Sequence, residues 1–258
     1  MKISLFYKEN KIENSTVEML LDKISKAGFE IDKANPDVVI YIGGDGTFLR
    51  AVHHYLDKLD QIKIVGLNRG HLGFFASFEE DEVDLLLAKL KENKLISKSY
   101  PLLKAEIGKS NIYAVNEIRI ESPFQTLISE VEINGKRLES FRGNGLVVSS
   151  ALGSSAYNKS LGGAVISSDL EAFELTEIAP INNRVYSSLH SSLILDKNSE
   201  IILTPKTSNI LVGYDQLIKE DLDTALIKLS LSDKRVSLLY KEDYDYIAHL
   251  ARTFIGDK

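Results

Sequence analysis

Gly43-Gly44-Asp45-Gly46-Thr47 sets one carboxylate among three glycines, after the apolar run Val38-Val39-Ile40-Tyr41-Ile42 and before Phe48-Leu49-Arg50-Ala51-Val52. That order reads as a strand, a tight turn and a helix starting near Thr47. Glycines adopt positive φ and leave backbone N–H groups uncovered, so such a loop can approach phosphate oxygens closely. A helix start adds its own unpaired N–H groups and positive dipole end. Within the loop, Asp45 can take a proton from an attacking hydroxyl or hold Mg²⁺. The plainer alternative is a βα turn in which the glycines serve the backbone and Asp45 caps the helix. Two better-known phosphate loops are missing: nothing fits G-x-x-x-x-G-K-[ST], and Leu49 stands where the dinucleotide fingerprint needs its third glycine. An ordinary Rossmann dehydrogenase is therefore disfavoured.

Asn116-Glu117 lies between two short apolar runs. An amide and a carboxylate at a strand edge suit adjacent sugar hydroxyls or a carboxamide; a solvated turn is the alternative. A third cluster runs Gly153-Ser154-Ser155-Ala156-Tyr157-Asn158-Lys159-Ser160-Leu161-Gly162-Gly163, preceded by Arg142-Gly143-Asn144-Gly145. Small residues at this density let backbone approach a ligand, and Tyr157 can stack on a ring. A flexible loop would carry more charge than the Leu-Gly-Gly-Ala-Val-Ile tail does. His53 and His54 point about 100° apart on a helix, poor for joint metal binding; His190 and His249 stand alone, and all five histidines read as structural or solvated. Arg50, one turn into the helix, is either a phosphate contact or a surface charge.

The elements that must position these residues change character along the chain. Residues 1–98 alternate strand and helix patterns, which implies a mostly parallel, Rossmann-like sheet with ligands at the carboxyl ends of its strands. Ser15-Thr16-Val17-Glu18 fits a capping box, and Gly28 closes the helix that follows. Residues 99–240 break into short strands with turns between them, including the hairpin signal Asn134-Gly135, and read as an all-β sandwich. Residues 241–258 carry a helix with Ile247, Leu250, Ala251 and Phe254 on one face, expected to return to the first domain.

With 258 residues, 44% hydrophobic and 26% charged, the chain can build two modest domains with real cores. The absence of cysteine excludes thiolate metal sites and cysteine nucleophiles. Charges of both signs are interspersed to a net −6, so no clustered basic face points to nucleic acid. The amino terminus is too short in apolar residues for a signal peptide, and no uncharged apolar stretch approaches about 18 residues. A cytoplasmic location, with no membrane partner, is the simplest expectation.

Taken in order, Gly43–Thr47, Asn68-Arg69-Gly70-His71-Leu72-Gly73-Phe74, Asn116-Glu117 and the Gly-Ser-Ser-Ala-Tyr-Asn-Lys-Ser-Leu-Gly-Gly run closely resemble the bacterial NAD kinases over nearly the whole chain. The first motif alone is shared with diacylglycerol, sphingosine and phosphofructo-kinases. The resemblance implies an N-terminal α/β domain and a C-terminal β-sandwich with the active site between them, in a homodimer or homotetramer. It implies transfer of a phosphoryl group from ATP or polyphosphate to the adenosine-ribose 2′-hydroxyl of NAD, with Mg²⁺ or another divalent cation held mainly by the nucleotide. Carried over residue by residue, Asp45 would accept the hydroxyl proton beside Gly46, while Gly43, Gly44, Gly46 and Thr47 hold phosphate. Asn116 and Glu117 would hold NAD, and Ser155, Ala156, Tyr157, Asn158, Lys159 and Ser160 would line the groove. Phe74, Phe75, Ala179 and Ile181 would pack against the adenine and its neighbours. Arg142 and Asn144 would reach the dinucleotide of their own or a neighbouring subunit, and Gln216 is a further contact. His71, in the family loop, could reach a phosphate.

The chain departs from the family pattern at Asn144, where Asp is usual, and at Ala151 and Leu152, where the family has Pro and a hydroxyl residue. These changes could weaken a contact or loosen the loop. They keep open a non-catalytic NAD- or NADP-binding sensor, and the glycine loop alone keeps open a lipid or sugar kinase.

Overall fold

The computed structural model describes residues 1–70, 73–219 and 226–256. The chain forms two compact units, Met1–Ser99 with Lys234–Lys258, and Tyr100–Asp233.

In the first unit, β1 (Lys2–Tyr7), β2 (Glu30–Ile31), β3 (Val38–Ile42), β4 (Lys63–Asn68) and β5 (Phe78–Glu79) pair in parallel in the order β2-β1-β3-β4-β5. Every residue of β3 is buried, as a parallel strand covered on both faces must be. Helices α1 (Asn14–Lys26) and α2 (Asp45–His54) connect these strands, and α3 (Val83–Lys91) follows β5. Along α1, Val17, Leu20 and Ile24 recur at helical spacing and join Ile3, Leu5, Ile40 and Leu86 in one core. Gly28, at φ 88°, ends α1 with its N–H on the Ser25 carbonyl (3.0 Å) and the Phe29 N–H on the Ile24 carbonyl (3.3 Å). These are the two crossed bonds of a Schellman stop. The capping box expected at Ser15–Glu18 does not form: α1 begins two residues earlier than such a box would place it, at Asn14, with Glu13 as its N-cap and no side-chain cap bond.

The second unit is a sandwich of two sheets. Its strands are β6 (Ile96–Ile107, which begins in the first unit), β7 (Ser110–Ala114), β8 (Glu117–Glu121), β9 (Leu127–Ile133), β10 (Lys136–Gly143), β11 (Gly145–Ser150), β12 (Ala172–Ile178), β13 (Leu193–Asp196), β14 (Ile201–Pro205), β15 (Leu211–Tyr214), β16 (Leu217–Lys219) and β17 (Ile227–Tyr240). One sheet runs β10-β9-β14-β17, with β6 beside β17 and β7 beside β6; the other runs β13-β12-β11-β8-β15-β16. Ile120, Val148 and Phe173 from one sheet meet Val131, Phe141, Leu203 and Leu229 from the other in a single core. Asn134 and Gly135, both at positive φ (52° and 72°), turn β9 into β10, as a two-residue hairpin between right-twisted strands requires.

Strands β12 and β16 have no counterpart in the sequence reading. Glu174 in the middle of β12 is fully buried, so its charge hides the strand pattern; the Asn158 amide (2.8 Å) and the Ala164 N–H (2.8 Å) satisfy it. Residues Ile227–Tyr240 run as the single strand β17. From Lys234 onward that strand groups with the first unit, short of the expected boundary at 240. There Leu238 pairs in parallel with Ile64 of β4. Between β11 and β12 lies the short helix α4 (Tyr157–Ser160), and α5 (Tyr246–Phe254) closes the first unit. Asp245 caps α5, accepting from the Ala248 N–H at 2.7 Å. Among the described residues no helix is long and apolar enough to cross a membrane.

Candidate active site

The glycine loop joins the carboxyl end of β3 to α2, where a parallel sheet presents ligands. Gly43, at φ 134°, donates its N–H to the Leu67 carbonyl at 3.0 Å, and a Cβ on it would meet Thr47 Oγ1 at 2.7 Å. Helix α2 begins at Asp45 itself, two residues before the expected start. Asp45 does not cap it. Its carboxylate instead accepts the N–H of Phe74 at Oδ2 (3.0 Å) and of Phe75 at Oδ1 (3.1 Å). A Cβ on Gly73 would come within 2.7 Å of Asp45 Oδ1, so this approach requires glycine. Each carboxylate oxygen has a second lone pair, and Asp45 remains half-exposed.

A cavity of about 390 Å³ opens beside the loop, lined by Gly43, Gly44, Gly46 and Thr47 and by the cations Lys8, Lys11, Arg50 and Arg69. Arg69 is paired with Glu80 at 3.3 Å. Among the described residues Lys8, Lys11 and Arg50 form no ion pair, so their charge faces the cleft uncompensated. Together with the N–H groups of Asp45 and Gly46 at the start of α2, this is a site for a polyanion. Lys8, Lys11 and Arg69 were not singled out from sequence. A signal was present: Lys8 follows the last residue of β1, and Arg69 the last residue of β4, both at the sheet's ligand-bearing edge. His71 lies outside the described residues.

Phe74 and Phe75 serve the site through their backbones. Their rings, expected against an adenine, are buried: Phe75 packs on Phe48 at 4.3 Å, and Phe74 lies among Tyr246, His249 and Phe254. His249 is buried beside Phe74, and its pKa is held below the usual range, first by burial and then by Arg252. His54 is exposed, in ring contact with Phe6 and Tyr55, and His190 bonds Asn182 at 2.9 Å.

In the second unit, Asn116 and Glu117 stand where β8 begins. Asp215, in the β15–β16 turn at φ 49°, accepts the N–H of Val115 (3.0 Å) and of Asn116 (2.7 Å), and its own N–H bonds the Glu117 carbonyl at 3.1 Å. From the other side the Ser150 N–H donates to the Asn116 carbonyl at 2.9 Å, and Gly153 lies so close that any Cβ would overlap the Asn116 backbone. Asn116 Oδ1 and Glu117 Oε2 are buried and have no partner among the described residues. Buried polar atoms left this way call for a ligand or another explanation. Burial, and then the charge of Asp215, push the Glu117 pKa up to about 7. Gln216, the expected contact, is exposed at the tip of the turn; Asp215 beside it does the holding, and sequence reading passed over it.

The small-residue loop is tied down at every turn. Ser150 Oγ accepts the Gly153 N–H (3.0 Å), while Ser154 Oγ donates to the Ala151 carbonyl (2.7 Å) and accepts the Ile166 N–H (2.9 Å). Ala151 and Leu152 are buried within it. Tyr157 is half-buried, with its ring 5.6 Å from the Arg119 guanidinium. Ser155 is nearly buried, Ala156 half-buried, and Lys159 and Ser160 are exposed. Asn158 departs from the expected groove role. It is fully buried and engaged with Ala164, Glu174 and Thr176, so it shapes the loop from beneath.

Arg142, Asn144, Ala179 and Ile181 form a separate cluster. The Asn144 N–H bonds the Ile178 carbonyl (3.0 Å), the Ile181 N–H bonds the Arg142 carbonyl (2.7 Å), and Ala179 is held at φ 45°. The Arg142 guanidinium lies 4.3 Å from the Tyr186 ring. In the β8–β11 register Ser149 faces Glu117 and Gly145 faces Glu121. Asn144 is thus six residues, roughly 20 Å, along the strands from Asn116 at about 3.3 Å per residue. One copy of the chain does not bring these residues to the Asn116–Glu117 end.

Comparison with known proteins matches residues 1–95 to the ATP-NAD kinase N-terminal domain and residues 115–234 to the ATP-NAD kinase C-terminal domain. The chain is 38% identical to the NAD kinase of Leuconostoc citreum over 100% of its own length and 99% of that protein. It is 34% identical to NAD kinase 1 of Bacillus cereus over 100% of both. Its fold is shared with a crystal structure of an NAD kinase from Archaeoglobus fulgidus in complex with ATP (TM-score 0.81, 21% identity, 100% of both chains). It is shared also with yeast NADH kinase complexed with NADH (TM-score 0.85, 17% identity, 99% of this chain and 87% of that one).

Proposed function

Because this chain belongs to the NAD kinase family, we propose that it transfers the terminal phosphoryl group of ATP, or of polyphosphate, to the adenosine-ribose 2′-hydroxyl of NAD, giving NADP. The observation that carries the reading is Asp45, a half-exposed carboxylate held by two backbone N–H groups inside a glycine loop that borders a cationic cleft.

Asp45 takes the proton of the 2′-hydroxyl as its oxygen attacks the terminal phosphorus in line, and the bond from that phosphorus to the leaving diphosphate oxygen breaks. Lys8, Lys11, Arg50 and Arg69, with the N–H groups of the glycine loop, hold the donor phosphates and offset the charge that moves onto the leaving group. Asn116 and Glu117 bond the sugar hydroxyls of NAD, which fits their unpartnered buried oxygens, and Ser155, Ala156, Tyr157, Lys159 and Ser160 border the dinucleotide. Among the described residues no three His, Asp or Glu side chains gather to cage a cation. The donor set of the cleft is phosphate-binding N–H groups and cations, which fits a divalent ion carried by the nucleotide with Asp45 as the loop's carboxylate. Such an ion, when bound, supplies further charge neutralisation on the donor phosphates.

A second copy of the chain supplies Arg142, Asn144, Ala179 and Ile181, since in one copy they lie at the far end of β8 and β11. The reading therefore includes a homo-oligomer, a dimer or tetramer. The reaction belongs in the cytoplasm, which provides both substrates. Full-length kinship with NAD kinases at 34–38% identity disfavours a lipid or sugar acceptor.

The test is purified protein with ATP, Mg²⁺ and NAD, read by a dehydrogenase that accepts only NADP. Steady NADP formation that requires both ATP and NAD is expected. Binding of NAD without turnover would overturn the reading in favour of a sensor.

A further inference from the structure

The carboxy-terminal helix has no part in the chemistry described, yet three of its rings enclose one residue of the Asp45 support. Phe74 meets Tyr246 at 6.1 Å (84° between planes), His249 at 5.1 Å (67°) and Phe254 at 6.5 Å (42°). The N–H of that same Phe74 donates to Asp45 Oδ2, and the Phe75 N–H to Oδ1. Edge-to-face and tilted rings at these separations attract beyond simple burial and define an orientation. We propose that α5 is a positioning element for Asp45: its rings fix Phe74, and Phe74 with Phe75 fixes the plane of the carboxylate. The proposal rests on the kinase reading and adds a role for residues that touch no reacting atom.

Two further observations favour this over plain packing. The chain leading into α5 is anchored elsewhere, by Lys241 on Glu82 (2.7 Å) and Glu242 on Lys89 (2.6 Å), so the helix is held in place without Phe254. Next to the cage, beside Ala76 and Ser77, α5 borders a cavity of about 420 Å³. Its grip on the 73–77 stretch therefore falls on Phe74. With both Asp45 oxygens bonded to consecutive N–H groups, a small rotation of Phe74 rotates the carboxylate, and proton transfer tolerates little misplacement.

Phe254 is 43% exposed, so trimming it should leave the fold intact. Phe254→Ala is expected to lower kcat about ten-fold, with KM for NAD and ATP within about two-fold of wild type. Phe254→Tyr, which restores the ring, should recover wild-type kcat. Combined with Asp45→Asn, Phe254→Ala should cost nothing more, because the group it positions is gone. Unchanged kcat in Phe254→Ala, a matching rise in KM, or a full further loss in the double variant would overturn the proposal. Should Phe254→Ala melt more than about 5 °C below wild type, Phe254→Leu decides by the same split between kcat and KM. A wild-type protein that makes no NADP defeats the kinase reading; an active one indifferent to Phe254→Ala defeats only this inference.

Discussion

Asp45 and Asp215 do the same thing in two units of different architecture, and the contrast separates chemistry from support. Each gives both carboxylate oxygens to two consecutive backbone N–H groups of a distant loop: Phe74 and Phe75 for Asp45, Val115 and Asn116 for Asp215. Asp45 does so from the first turn of a helix, half-exposed, in a loop that borders a cleft with four cations. Asp215 does so from a hairpin turn at φ 49° and is 6% exposed. One clamp leaves lone pairs open to a substrate, while the other closes on itself beside Glu117, whose pKa is raised first by burial and then by the charge of Asp215. Identical hydrogen bonding thus yields a candidate base in one place and a scaffold in the other; accessibility decides which.

Breaking the two clamps therefore has different consequences. The largest effect is expected from Asp45→Asn, which keeps the shape and loses the acceptor: kcat should fall by about 10²–10⁴, with NAD affinity by titration within about two-fold. Next comes Asp215→Ala, which strands two backbone N–H groups at about 1–3 kcal/mol each. Its melting temperature should drop and KM for NAD rise by about ten-fold or more, while kcat at saturation changes little. Glu117→Gln sharpens the comparison through pH. A carboxyl raised from 4.5 to about 7 favours the folded state while protonated, and that contribution is lost as pH rises through about 7. Glutamine does not titrate. The variant should therefore melt about 7 °C or more above wild type at pH 8 and close to it at pH 5, yet bind NAD more weakly at both.

The glycine loop was legible because its signals are local: five apolar residues, three glycines and a helical face fix a strand, a turn and a helix regardless of the rest of the chain. The sandwich was legible for the same reason, in the Asn134-Gly135 turn and in short alternating runs. Asp45's partners were not, since the N–H groups of Phe74 and Phe75 lie 29 and 30 residues away and a backbone donor leaves no mark on residue type. Asp215 escaped notice on the same ground, acting on N–H groups 99 and 100 residues distant. Asn158 misled in the opposite direction. Its loop reads as a groove, yet Glu174 and Thr176, both in the unrecognised strand β12, hold the amide in the core.

The central claim is that Asp45 serves the adenosine-ribose 2′-hydroxyl of NAD, and the most direct measurement is where the phosphoryl group ends up. Purified protein is incubated with ATP, Mg²⁺ and NAD, and the product is analysed by phosphorus NMR. A phosphomonoester at the adenosine 2′-oxygen, formed by wild type and lost in Asp45→Asn, is the predicted result. A phosphoryl group on any other hydroxyl, or the same 2′ product at an undiminished rate from Asp45→Asn, would contradict it.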